Sequence, residues 1–210
     1  MAELQNRQRD TEALILQAAE KEFLKKGYSG AKTTSIAETA GVTHAMFHYY
    51  FRTKDKLFEK IMAEKMTQLK DLMFSAIGNT ELPLKERIKQ GVERHFDFIA
   101  ANPLLPRFIF NELYLNPVRV EDAKADIITM ATALLKNLQE TIDHDAEQRL
   151  CNRVDARMLL LDIISLNIFP FIAQPILSGV LASSNESIDA LLDQRKKENV
   201  RTILGKLNLA

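Results

Sequence analysis

Apolar side chains recur at helical spacing through most of this chain. In TEALILQAAEKEFLKKG, Ile15, Ala19 and Phe23 fall every four residues, which sets them on one face of a helix. Lys25, Lys26 and Gly27 then supply the positive charge and the flexible residue at which helices end. A second, short helix is expected over SIAETA, with Thr33 or Thr34 as its cap and Gly41 as its terminator, and a third starts at Thr43. Beyond Phe51-Arg52-Thr53, the residues Phe58, Met62, Met66, Leu69 and Met73 keep to one face as far as Gly78. Further helical segments are expected around 84–101, 103–116, 119–143, 153–181 and 186–207. They are separated at Pro83, Asn102-Pro103, Asn116-Pro117, the polar stretch DHDAEQ and Ser183-Ser184-Asn185. Asn-Gly and Asp-Gly hairpin pairs are absent and no long run alternates strictly, so nothing argues for a sheet. The pattern predicts an all-α chain of about nine helices.

Two parts of the chain are built differently. Gly27, Gly30 and Gly41 lie near the start, whereas every proline lies at position 83 or beyond. The stretch LLLDIISLNIFPFIAQPIL at 159–177 is apolar on nearly all sides and approaches membrane-spanning length. Asp162, Asn167, Pro170, Gln174 and Pro175 argue against a span and for a helix buried among other helices. A chain of 210 residues with 46% hydrophobic and 27% charged residues is long and apolar enough to bury a sizeable core. Its 28 basic and 28 acidic side chains cancel, so any attraction to nucleic acid must come from a local patch. The single cysteine, Cys151, excludes an internal disulfide and a multi-cysteine zinc site, which fits a reducing, cytoplasmic setting. The polar opening MAELQNRQRD contains no secretory apolar stretch.

Two short helices joined through Ala40-Gly41-Val42 read as a helix-turn-helix, whose second helix can enter the major groove of DNA. At about 100° per residue, Met46, Phe47 and Tyr50 share one side of that helix, while His44, Ala45, His48 and Tyr49 share the other. The first side, continued by Phe51, is expected in the core; the second is expected to face outward and carries no acid to repel phosphate. Lys54 opens the fourth helix, where a cation opposes the helix dipole unless an anion such as phosphate shares the site.

The stretch TSIAETAGVTHAMFHYYFRTKDKL at 34–57 resembles the DNA-binding signature of the TetR (tetracycline-repressor) family, and ILQAAEKEFLKKGY at 15–28 resembles that family's first helix. The resemblance implies a helix-turn-helix DNA-binding domain over 1–53 and a helical ligand-binding and dimerisation domain over 54–210. It also implies that Thr33, Thr34, Thr43, His44, Ala45, His48 and Tyr49 face DNA and that Lys54 holds a phosphate. Ala45 stands where many relatives have glycine, and His48 where they usually have tyrosine. Those departures keep open a second reading, a helical ligand-sequestering or protein-interaction module without operator binding. Residues 1–60 carry 10 basic and 8 acidic side chains, a net of +2, so backbone amides and hydroxyls must share in phosphate binding.

No phosphate loop, dinucleotide fingerprint or nucleophile elbow is present, and His95 and His144 stand apart, so no enzyme activity and no cofactor are expected. His44 and His48 have the four-residue spacing of two metal ligands but lack a glutamate or a third partner, so no metal is expected either. The family's members usually enclose a small-molecule effector in the larger domain, and His95, Phe98, Arg107, Phe108, Tyr114 and Phe169 are the expected contacts. For a homodimer the expected seam is Ile164, Ile168, Ile172 and Ile176 with Leu192, Val200, Ile203 and Leu204, and Pro170 should kink the first of its helices. The expected partners are therefore double-stranded operator DNA, an effector and a second copy of the chain, with no membrane.

Overall fold

The structure, a computed structural model, describes residues 2–118, 120–182 and 187–209. Ten helices are present among them, and no strand: α1 (Ala2–Gly30), α2 (Thr33–Thr39), α3 (His44–Tyr50), α4 (Lys54–Ala76), α5 (Leu84–Ala101), α6 (Leu105–Leu115), α7 (Glu121–Glu147), α8 (Ala156–Ile172), α9 (Gln174–Leu181) and α10 (Ile188–Lys206). The expected break at Ser183-Ser184-Asn185 lies outside the described residues. The chain forms two compact units, one of residues up to Thr67 with Phe108–Ala123, the other of Gln68–Arg107 with the chain from Lys124 onward. The expected boundary at 53/54 falls inside the first unit.

The first unit has an aromatic and aliphatic core. Ile15, Ala19 and Phe23 of α1 are buried with Ile36, Phe47, Phe51, Leu57 and Phe58. Phe58 meets Phe23 at 5.5 Å and Tyr28 at 5.3 Å edge-on, and Phe108 at 5.7 Å with tilted rings. The Phe58–Phe108 contact is why the opening of α4 and most of α6 belong to this unit. Gly27 takes φ +70° and breaks the regular course of α1 where the sequence places its stop.

In the second unit, Met73, Ile77, Ile88, Val92, Leu134, Leu138, Ile142, Leu159 and Ile163 form a continuous core with Ile203, Leu204 and Leu207. A smaller cluster of Phe96, Ile99 and Phe171 is packed by Phe98, Ile168 and Leu192. Arg87 is buried on α5 and donates to the Ile77 carbonyl through Nε (2.8 Å) and Nη2 (2.6 Å), and to Thr141 Oγ1 through Nη1 (2.9 Å). Burial lowers its pKa. It fixes the carbonyl just past α4 to α7.

Two expectations are corrected here. Ile203 and Leu204 are 1% and 5% exposed, so they fill the core of their own chain and are not free to form a dimer seam. The last apolar residues of the α10 stripe are used up inside their own unit. The expected helix over 153–181 is also two helices: α8 and α9 are bent by 62° at the break between them. Pro170 lies inside α8, which continues past it to Ile172. The carbonyl of Leu166, which a regular helix would pair with residue 170, instead accepts from Asn199 Nδ2 at 3.1 Å. A donor from α10 thus replaces the missing N–H, and the bend falls where Pro175 opens α9. No single helix among the described residues is long and apolar enough to cross a membrane.

Candidate nucleic-acid interface

The turn between α2 and α3 is fixed by hydrogen bonds that the sequence can supply in only one way. Gly41 has φ +69°; its N–H donates to the Glu38 carbonyl (3.1 Å) and that of Val42 to the Ala37 carbonyl (3.0 Å). This pair closes α2 in the Schellman pattern, whose left-handed residue favours glycine. Two residues on, the Thr43 hydroxyl accepts from the Met46 N–H at 3.2 Å and caps α3. Neither Thr33 nor Thr34 caps α2: both lie within it, the capping position is Lys32, and no side-chain bond is made there.

Of the seven residues of α3, Phe47 alone is fully buried, and Phe51 follows it into the core. Thr43, His44, Ala45, His48 and Tyr49 are exposed, Tyr49 by 72%. Thr34 is exposed as well, and Thr33 is half-buried. Met46 departs from expectation: it is 42% exposed and Tyr50 is only half-buried. A helix of two turns cannot sink a whole side into the core, and the residue nearest the cap stays out. The sequence held a signal for this, since Met46 falls in the first turn while Phe47 and Phe51 are four apart and suffice for the contact.

The exposed rings are ordered among themselves. His44 lies parallel to Phe47, with centroids 6.1 Å apart, and His48 crosses His44 at 4.4 Å. Thr33 Oγ1 lies 3.2 Å from Nε2 of His44. Tyr49 and Tyr50 meet edge-on at 5.3 Å. Lys54 has a role that sequence reasoning missed. Its ammonium donates to the carbonyls of Tyr28 (2.8 Å) and Ala31 (3.0 Å) and sits 4.3 Å from the Tyr28 ring centroid. The Tyr28 hydroxyl donates to Asp55 Oδ1 at 2.5 Å. The start of α4 is thereby tied to the end of α1, where the helix's last carbonyls attract a cation. Among the described residues no group of three or more His, Cys, Asp or Glu side chains could hold a metal ion.

A model of the bacterial regulatory proteins of the tetR family matches residues 15–61. The uncharacterized HTH-type transcriptional regulator YdgC of Bacillus subtilis (strain 168) is 31% identical over 140 residues, 65% of each chain. The structure of SCO4942 from Streptomyces coelicolor covers 95% of this chain and 99% of its own with a TM-score of 0.71 at 20% identity, a likeness of fold. Residues 15–61 are thus similar to the tetR family, and the chain shares the fold of SCO4942. The family match begins at Ile15 in the first unit's core and takes in the whole of α2, the turn and α3. The HTH-type transcriptional repressor SCO4008 of Streptomyces coelicolor is 32% identical over 102 residues, 49% of each chain. The aligned segments thus span about half to two thirds of these curated relatives.

The residues expected to hold the effector stand in different settings. His95 is 5% exposed and occupied, its Nδ1 lying 3.1 Å from Asn167 Nδ2. Phe98 packs on the small Phe96 cluster. Arg107 is exposed, and Phe169 is 65% exposed on α8. Phe108 and Tyr114 belong to the first unit, where Phe108 packs on Phe58 and Tyr114 is exposed. Two grooves in the second unit, of about 390 and 370 Å³, are lined by other residues. Aromatic side chains between prolines looked alike in sequence whether they fill a core, cover a surface or line a space.

Proposed function

We propose that this protein is a ligand-responsive transcriptional repressor that binds a two-fold symmetric operator as a homodimer, with α3 in the major groove. The observation that carries the reading is the outward side of α3. Thr43, His44, Ala45, His48 and Tyr49 are exposed together, free of acidic side chains, on a helix whose start is capped and whose approach turn is fixed. Met46 joins them as an apolar side chain suited to a thymine methyl. Thr34 is exposed near the start of α2, where its hydroxyl suits a phosphate, and Lys54, with two of its three donors on carbonyls, keeps one for a phosphate. Repression is supported by the relative SCO4008, named a repressor. A DNA partner and a lone thiol at Cys151 suit a cytoplasmic protein.

A single α3 reads one half-site, and two copies must hold their recognition helices about 34 Å apart. Ile172 and Ile176, with Leu161, Phe169 and Val180, are exposed apolar residues along α8 and α9 that suit such an assembly. Ile164, Ile168, Leu192 and Val200 are half-buried. An effector bound in the second unit acts by favouring one arrangement of the two DNA-binding units over another, typically by about 1 to 3 kcal/mol.

Selection of the purified full chain against random duplex DNA tests the reading. Enrichment of a sequence with two-fold symmetry is expected. Tyr49→Ala should lower affinity for the selected sequence, while Lys54→Met should weaken all sequences alike and reduce the salt slope by roughly 1. Lys54→Met should also lower the melting temperature, because the Tyr28 and Ala31 carbonyls lose their donor. A library that emerges without enrichment overturns the proposal.

A further inference from the structure

His44 is exposed, yet its ring is held on three sides. Phe47 lies parallel beneath it, His48 crosses it edge-on, and Thr33 Oγ1 stands 3.2 Å from Nε2. Thr33 is the first residue of α2 and His44 the first of α3, so this contact joins the two helices at their N-terminal ends. An imidazole has two nitrogens with which to read a base edge or a phosphate. With Nε2 against the hydroxyl, only Nδ1 is left. A hydroxyl can donate or accept, so it serves either neutral tautomer and the imidazolium alike. The ring's position is thereby fixed while the role of Nδ1 stays adjustable to the group it meets. Thr33 itself is half-buried, which suits action through His44 better than direct contact with DNA.

We propose that Thr33 is a positioning residue for sequence readout: its hydroxyl holds Nε2 of His44, so that the imidazole meets the DNA with Nδ1 as its one polar atom. The inference rests on the DNA-binding reading above. Holding the ring in place before DNA arrives removes the ordering cost that a free side chain meets on binding. A merely structural Thr33, one that only keeps α2 against α3, would affect all DNA sequences equally. A positioning residue affects the one base pair that His44 reads.

The test uses the full chain, its selected operator and the complete set of single base-pair variants of that operator. His44→Ala first identifies the base pair at which preference is lost. Thr33→Val, which keeps the shape and removes the hydroxyl, should then lower operator affinity by about fivefold, the scale of one neutral hydrogen bond. It should flatten preference at that same base pair and leave affinity for DNA already altered there unchanged. Thr33→Ser should retain the preference, and the Thr33→Val/His44→Ala double variant should bind no more weakly than His44→Ala alone. Melting temperatures of all variants check that the fold is intact. Equal loss on every sequence, additive loss in the double variant, or a His44→Ala that alters no base preference would each overturn the inference. Failure to select any operator removes the DNA-binding reading and this inference with it, whereas a selected operator with an unaltered preference in Thr33→Val removes this inference alone.

Discussion

A histidine whose Nδ1 faces an amide N–H group must keep that nitrogen unprotonated to accept from it. His95 is in that position: Asn167 Nδ2 lies 3.1 Å from its Nδ1, and the same amide donates to the Val92 carbonyl at 2.9 Å. Burial holds its pKa down to about 4. The unfolded chain, with an ordinary histidine near 6.5, therefore binds a proton between pH 6.5 and 4 that the folded chain does not. Stability rises with pH across that window, and the neutral ring's contribution is lost as pH falls toward 4, by up to about 3 kcal/mol. His95→Gln, which keeps an acceptor for Asn167, should melt with a shallower dependence on pH than the wild type between pH 7 and 4.5. Parallel curves for the two proteins would show that His95 does not carry this dependence. From the sequence alone His95 reads as a polar contact for an effector, because its partner is 72 residues away along the chain. Met46 was misread for the opposite reason: its periodicity was visible, but the depth to which so short a helix can sink was not.

At the scale of elements, periodicity revealed where helices run and residue chemistry revealed where several end. Gly27 and Gly41 take the left-handed backbone their positions require, and Thr43 caps α3. What periodicity could not show is which of two prolines bends a helix, since that is decided by a donor elsewhere in the fold. Asn199 supplies it for Pro170: its Nδ2 donates to the Leu166 carbonyl at 3.1 Å and to Asn167 Oδ1 at 2.9 Å. At Pro175 the chain starts α9 instead, which places the proline in a first turn, where no intrahelical bond is lost. The arrangement predicts coupling between Pro170 and Asn199. In the wild type, Asn199→Leu should destabilise the fold by roughly 1 to 3 kcal/mol, because it strips a donor from the part-buried Leu166 carbonyl and from the buried Asn167 Oδ1. In a Pro170→Ala background the alanine N–H can pair with Leu166 itself, so the same substitution should cost less, by about 1 kcal/mol. Chemical denaturation of the four proteins measures the cycle, and strict additivity would rule out the exchange of donors.

For the whole molecule, the same apolar spacing serves a core or an interface, and sequence alone does not separate them. Leu204 and Ile176 both belonged to the expected dimer seam, yet Leu204 is 5% exposed in the core of its own unit and Ile176 is 72% exposed. Likewise the boundary read at 53/54 misses that Phe108, far along the chain, joins the ring cluster of Phe58 and brings residues 108–123 into the first unit. Asp162, which a two-fold seam could not easily bury, pairs with Lys206 on α10 and leaves the apolar side of α8 and α9 to Leu161, Phe169, Ile172, Ile176 and Val180. Exposed apolar residues along a bent pair of helices suit an association surface, and in the proposed homodimer a two-fold axis would lay it against its own copy. Ile176→Asp should therefore convert a dimer to a monomer at micromolar concentration, with helix content and melting of the individual chain retained. Operator affinity should fall with it, because the two half-sites would then be bound independently. Leu204→Asp should behave differently and lose helical structure outright, since it buries a charge among Ile163, Ile203 and Leu207. Sedimentation velocity paired with circular dichroism separates the two effects; a monomeric wild type, or an Ile176→Asp protein that remains dimeric, would take α8 and α9 out of the assembly.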